Sequence, residues 1–275
     1  MENLLLIHNK SFFDQNQIIT IVSDTNIPDK SSILFIGNHN RCYGELNKNI
    51  ITKFFNKIAF FDKNQYIIII GKTDDNFFEN ISIPKNIIKI FANNIIYDHD
   101  IIKFLPMGRD FRSIDQFNIP QQSEKKNLCY CNFSLDTHSC RKQIYNSIKN
   151  KDFLTIENMG TFLNYSISRD NFFKQLNTSK FTICPKGNAY DTFRFYDCLY
   201  CDSIPIVVKL PFHKYFEDLP ILFLDSEEDF KDLTIDFLNQ KYDELSLKKK
   251  KYYQELDFNY WILNMKNELN INYDK

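Results

Sequence analysis

The apolar positions fall into short runs separated by polar turns, and the period keeps changing. ILFIG at residues 33–37 and YIIIIG at residues 66–71 are apolar stretches of strand length. A strand covered on both faces reads this way, because neither face calls for polar alternation. Residues 87–91 and 101–105 predict two more strands, while residues 45–58 repeat their apolar side chains at helical spacing. The pattern lapses at residues 116–127, where Pro, Gln, Ser and Lys follow one another without periodicity, and this predicts a linker.

Alternation resumes after the linker. Strands are expected at residues 128–133, 153–156, 181–184, 204–208 and 221–224, and helices at 138–148, 168–176, 192–200 and 226–238. Asp136 or Thr137 is placed to cap the first of these helices, and Ser226 with Asp229 forms a capping pair for the last. A tail over residues 241–275 is helical in pattern and carries the only Trp, Trp261. The expected fold class is α/β: two Rossmann-like, doubly wound domains facing a cleft, over residues 1–115 and 128–240, with C-terminal helices packing back across them. Ligands of such sheets bind beyond the carboxyl ends of the strands, so the cleft is the expected site.

Composition narrows the function classes. The 275 residues suffice for two domains, and 43% hydrophobic with 25% charged residues fits a chain with real cores. A net charge of −1 gives no field that would gather nucleic acid, so no nucleic-acid partner is expected. One basic run, Lys248, Lys249, Lys250 and Lys251, is either a solvated helix face or a patch for peripheral contact with a membrane or an anionic acceptor. No run approaches the roughly 18 apolar residues that span a bilayer, and the first residues lack a basic leader and cleavage site. A soluble, cytoplasmic protein is expected. Cys198 and Cys201 make a C-x-x-C late in a helix, without a second pair at zinc spacing, so reduced and buried cysteines are expected.

The densest chemistry lies in residues 181–208, FTICPKGNAYDTFRFYDCLYCDSIPIVV. A strand runs into Pro185, Lys186, Gly187 and Asn188, a helix opens near Thr192, and a second strand follows. Gly187 permits a positive φ or close backbone approach. The N–H groups at the helix start favour an anion such as a diphosphate. Arg194 and Asp197 share one helix face. They either pair with each other, or the guanidinium holds phosphate oxygens and the carboxylate accepts ribose hydroxyls.

This segment resembles the exostosin-like glycosyltransferase family, whose pattern runs P-x-G, S-x-R-x-x-E-A-L and G-x-I-P-V-I. The matching residues are Pro185-Lys186-Gly187, then Thr192-Phe193-Arg194 with Asp197-Cys198-Leu199, then Ile204-Pro205-Ile206-Val207. Thr192 stands for Ser, Asp197 for Glu, and Asp202-Ser203 for the usual small pair. Upstream, Asn132-Phe133-Ser134 with Thr137 and Arg141 looks like the family's short bacterial and viral members, as does Phe91-Ala92-Asn93-Asn94 followed by Leu105-Pro106-Met107-Gly108.

The resemblance implies a GT-B fold, an acceptor-side N-terminal domain and a C-terminal domain that binds a nucleotide-sugar. It implies transfer of a hexose or pentose from a nucleoside diphosphate sugar, UDP-linked first and GDP-linked second, to a glycan or glycolipid acceptor. Inversion is expected. No cofactor and no metal are expected, because basic residues offset the leaving diphosphate; Arg141, Lys186 and Arg194 are the candidates, with Gly187, Asn188, Thr192 and Asp197 completing donor binding. An inverting transfer needs a base for the acceptor hydroxyl. His39, in the loop after the strand at residues 33–37, and Asp110 are the catalytic candidates, with Asp98, His99 and Glu45 as competitors. Asp98-His99-Asp100 also has the D-x-D form of the manganese-dependent GT-A transferases, which makes a metal-dependent enzyme one rival. A non-catalytic nucleotide- or sugar-binding module is another.

Overall fold

The computed structural model describes residues 19–21, 27, 32–36, 48–70, 74, 81–108, 123–157, 161, 167–249 and 253–268. The chain divides into two compact units. The first comprises Met1–Gly108, Ala189–Asp191 and Asp257–Lys275; the second comprises Arg109–Asn188 and Thr192–Leu256.

The first unit is built on a five-stranded sheet in simple chain order, β1 (Ile19–Ile21), β2 (Ser32–Ile36), β3 (Tyr66–Ile70), β4 (Ile87–Ala92) and β5 (Ile102–Phe104), every pairing parallel. Helix α1 (Lys48–Ile58) buries Ile51, Phe54, Phe55 and Ile58, the i, i+3, i+4, i+7 stripe that its sequence spells out. That stripe packs on Leu34, Ile68 and Ile90 of the sheet. Two stretches singled out in the sequence, Asn93-Asn94 and Met107-Gly108, meet at Asp191. Asn94, in the left-handed region at φ 58°, accepts the Asp191 N–H through Oδ1 at 2.7 Å, and Asp191 Oδ2 accepts the Met107 N–H at 2.6 Å. Strand β1 lies within the β-branched run IITIV at residues 18–22, which is not among the expected strands.

The second unit holds β6 (Asn127–Cys131), α2 (Ser139–Ile148), β7 (Leu154–Ile156), α3 (Arg169–Thr178), β8 (Ser179–Ile183), α4 (Phe193–Tyr200), β9 (Ile204–Val208), β10 (Leu222–Leu224) and α5 (Ile235–Ser246). Its sheet is parallel with order β10-β9-β8-β6-β7. The chain starts at β6, steps to the edge strand β7, then returns to the other side of β6 and proceeds outward. That reversal puts a switch point between β6 and β8, where the connections leave in opposite directions and open a crevice at the carboxyl ends.

Three local expectations give way. The cap of α2 is His138, whose Nδ1 accepts the Cys140 N–H at 3.2 Å, and not Asp136 or Thr137. The helix expected over residues 226–238 is two elements, a 3-10 turn Glu227–Asp232 and then α5. Asp229 closes the turn by accepting the Ser226 N–H at 2.8 Å, and Thr234 Oγ1 starts a fresh helix by accepting from Phe237 N–H. The tail is likewise interrupted, with a short turn Gln254–Leu256 before α6 (Phe258–Glu268). Trp261 on α6 is buried and meets the Phe104 ring edge-on at 5.8 Å.

Candidate functional site

The connections that leave β6 and β8 at the switch point supply the polar groups of the candidate site. After β6 come residues 132–138 and then α2, which carries Arg141. After β8 come Cys184, Pro185, Lys186, Gly187 and Asn188, and then α4, which carries Arg194 in its first turn.

Arg141 is 9% exposed, and its guanidinium donates to three backbone carbonyls: Nε to Lys186 at 2.7 Å, Nη1 to Ser134 at 3.1 Å and Nη2 to Pro185 at 3.2 Å. It lies over the Phe133 ring at 5.6 Å. Burial, and then repulsion from Arg194, lower its pKa to about 10, which leaves it charged at neutral pH. Arg141, expected to offset the charge of the diphosphate, also has a structural task here. Its fork knits the two strand-end loops together, and three of its donors are spent on carbonyls. The same clamp explains Gly187. A Cβ there would stand 2.8 Å from Arg141 Nη2 and 3.3 Å from Cζ, so only glycine lets the fork close over the loop. Close approach is what the glycine serves; the positive φ also expected there is absent.

Lys186 turns its Nζ to Glu227 Oε1 at 2.8 Å, with the two side chains 25% and 29% exposed. The pair is partly solvated and can be exchanged for a stronger anion, but Lys186 is not an uncommitted cation. Asn188 is exposed, and Thr192 is the cap residue of α4 without a side-chain capping bond. Asp197, expected to accept ribose hydroxyls, is 3% exposed in the second turn of α4.

Arg194 differs from all of these. Its guanidinium centre stands 4.9 Å from the centroid of the Phe172 ring on α3, and its Nη1 is buried without a hydrogen-bond partner. Thr137 Oγ1 is also buried without a partner, and it lies 3.6 Å from where a Gly187 Cβ would be. A buried donor left unpaired costs about 1–3 kcal/mol, and more when charged. These two unpartnered polar atoms lie on the segments that follow β6 and β8, where the oxygens of an anion could accept from them. Thr137 stands in the sequence as an alternative helix cap and as part of a motif; its unpartnered hydroxyl has no sequence signature.

His39 and Asp110, the catalytic candidates, lie outside the described residues, as do Glu45, Lys250 and Lys251. Lys249 belongs to no open basic patch: its Nζ pairs with Asp202 at 3.1 Å and lies over Tyr242 at 5.0 Å. Asp98, His99 and Asp100 are exposed on the loop that enters β5, at the amino end of that strand, and His99 Nδ1 accepts the Ile101 N–H. Among the described residues no three His, Cys, Asp or Glu side chains are grouped to hold a metal. Six described cysteines are buried and free, with Cys184 Sγ and Cys198 Sγ 3.4 Å apart. Among the described residues no helix is long and apolar enough to cross a membrane.

The family model described as RXYLT1 C-terminal domain matches residues 108–214, a span that contains every group of the candidate anion site. A solved structure, the crystal structure of an alpha1,3-fucosyltransferase, shares the fold at a TM-score of 0.52 and 14% identity, covering 98% of this chain and 85% of that one. No protein of curated function matches the sequence. The two parallel sheets are those of the GT-B fold. The family match over residues 108–214 and the shared fold both support the resemblance to the exostosin-like glycosyltransferases.

Proposed function

We propose that the protein transfers a sugar from a nucleoside diphosphate sugar, UDP-linked first and GDP-linked second, to a glycan or glycolipid hydroxyl, with inversion and without a divalent ion. The observation that carries this reading is the buried, unpartnered Arg194 Nη1 and Thr137 Oγ1 on the segments that follow β8 and β6, the strands that flank the switch point. As the bond from the anomeric carbon to the diphosphate breaks, negative charge grows on the departing oxygen. A preorganised guanidinium and hydroxyl aimed at that oxygen stabilise the transition state more than the ground state. Arg194 thus does for the leaving group what a divalent ion does in GT-A enzymes. The acceptor oxygen attacks from the opposite side and gives up its proton to a base, for which His39 and Asp110 remain the candidates.

A thermal-shift screen against UDP, GDP, CMP and dTDP, each with manganese or with EDTA, tests the reading. A ligand at about 100 times its dissociation constant adds about 2.7 kcal/mol to the folded state. Stabilisation by one diphosphate that survives EDTA is expected. Stabilisation only with manganese moves the site to Asp98 and Asp100, and no shift with any nucleotide removes it. Release of the nucleoside diphosphate from its sugar in the presence of acceptor separates an enzyme from a binding module.

A further inference from the structure

Arg194 stands in an electrostatically awkward place. Arg141 is near enough for the two guanidinium charges to disfavour one another, and Arg141 cannot retreat, because three carbonyls hold it. A long, four-torsion side chain next to a fixed like charge swings away unless something opposes the repulsion. The opposing contact is the face of Phe172, 4.9 Å from the Arg194 guanidinium centre. The ring is itself braced. It meets Phe173 edge-on at 5.2 Å and the Tyr130 ring at 6.4 Å. Tyr130 O–H donates to Glu157 Oε2 at 2.9 Å, and Glu157 Oε1 accepts from Gln175 Nε2 at 2.7 Å. Gln175 lies three residues after Phe172 on the same face of α3, so the relay returns to the helix that carries the ring.

We propose that Phe172 is the positioning residue of the anion site: its braced ring holds the Arg194 guanidinium against repulsion from Arg141 and keeps Nη1 turned to the donor diphosphate. The proposal rests on the reading that Arg194 binds that diphosphate, and it assigns to a residue outside the strand-end loops the ordering that the donor would otherwise have to supply. The ring acts through Arg194 and touches no reacting atom. Its effect is to lower the conformational cost of binding.

The test is calorimetric binding of inorganic pyrophosphate and of UDP to the full chain. Phe172→Leu keeps apolar volume and removes the aromatic face. It should leave the melting temperature of the free protein within a few degrees and weaken pyrophosphate about tenfold. Phe172→Tyr and Phe172→Trp, which restore a π face, should recover the affinity. In an Arg194→Ala background, Phe172→Leu should cost nothing further, because nothing is left to position. Should Phe172→Leu fold poorly, Phe172→Met gives the same readout with a more adaptable side chain. Wild-type affinity in a folded Phe172→Leu or Phe172→Met variant overturns the proposal. So does an equal loss in the Arg194→Ala background, which would make the ring a shaping group only. Failure of the wild type to bind pyrophosphate or any nucleoside diphosphate instead sinks the underlying donor reading, and this proposal with it.

Discussion

The two sheets are made of similar strands, short, parallel and rich in Ile, and differ in the order in which the chain visits them. In the first, β1 to β5 follow one another across the sheet without a reversal among the described strands. In the second, the chain goes to β7 and comes back past β6 to β8. Neighbouring connections in the first sheet therefore pass on in one direction, whereas those after β6 and β8 part and leave a crevice between them. Both units also bury polar groups. The buried polar groups differ in kind: the first unit keeps Asn93, Asn94 and Asp191 nearly out of solvent, while the second keeps Arg141, Asp197 and His213 there. Strand chemistry alone makes a core; a change of winding direction makes a place for a ligand.

Perturbing each unit separately sharpens this contrast. Phe55→Ala, at a fully buried position on the inner face of α1, should cost about 3–5 kcal/mol on urea unfolding, with the loss confined to the first unit. Arg194→Ala should leave the unfolding of both units nearly unchanged while weakening UDP or pyrophosphate at least about 100-fold, since a charge-assisted contact in a desolvated site is lost. Equal affinity in that variant would remove the anion site from the second sheet. Gly187→Ala forces its Cβ against a clamped guanidinium and should cost about 1–3 kcal/mol, with donor affinity falling in parallel.

Acid provides the gentlest probe. Burial lowers the His213 pKa to about 3, and its Nδ1 accepts the Leu210 N–H at 2.9 Å. The unfolded chain takes up that proton below about pH 6.5, while the folded unit resists it down to about 3. Stability is therefore lost as pH falls through that window, by about 1 kcal/mol at pH 5.5 relative to pH 7. The slope should belong to the second unit and flatten in His213→Asn, which keeps an acceptor but does not titrate. A slope unchanged in His213→Asn would assign the acid sensitivity to another group.

Much of this architecture is written in the sequence because it is local. Runs such as IIII in β3, and the apolar stripe of α1, name their own elements. Residues 181–208 announce a strand, a glycine loop and a helix, and Arg194 stands where such a loop delivers it. What the sequence leaves hidden depends on partners far along the chain. Arg141 reads as a free cation, because nothing near it in sequence reveals that the Pro185 and Lys186 carbonyls, over forty residues away, face its fork. Asp197 reads as surface because helical periodicity does not tell which side of α4 is covered. The split at Leu233 and Thr234 was masked by a good capping pair at Ser226, which closes a turn equally well. Phe172 is one Phe among 27, and only its distance from Arg194 sets it apart.

The clamp at Arg141 has a further consequence for how the site responds to ionic strength. Its bonds run from a charge to carbonyl dipoles in a buried setting, and dissolved ions screen such contacts little. The Lys186–Glu227 pair, about a quarter exposed, is screened within a Debye length of about 8 Å at physiological salt. Concentrated salt should then compete with the donor for Arg194 while leaving the loop that presents it in place. A dissociation constant that climbs with sodium chloride, beside a melting temperature that does not fall, is the behaviour of a site shaped by dipoles and filled by charge.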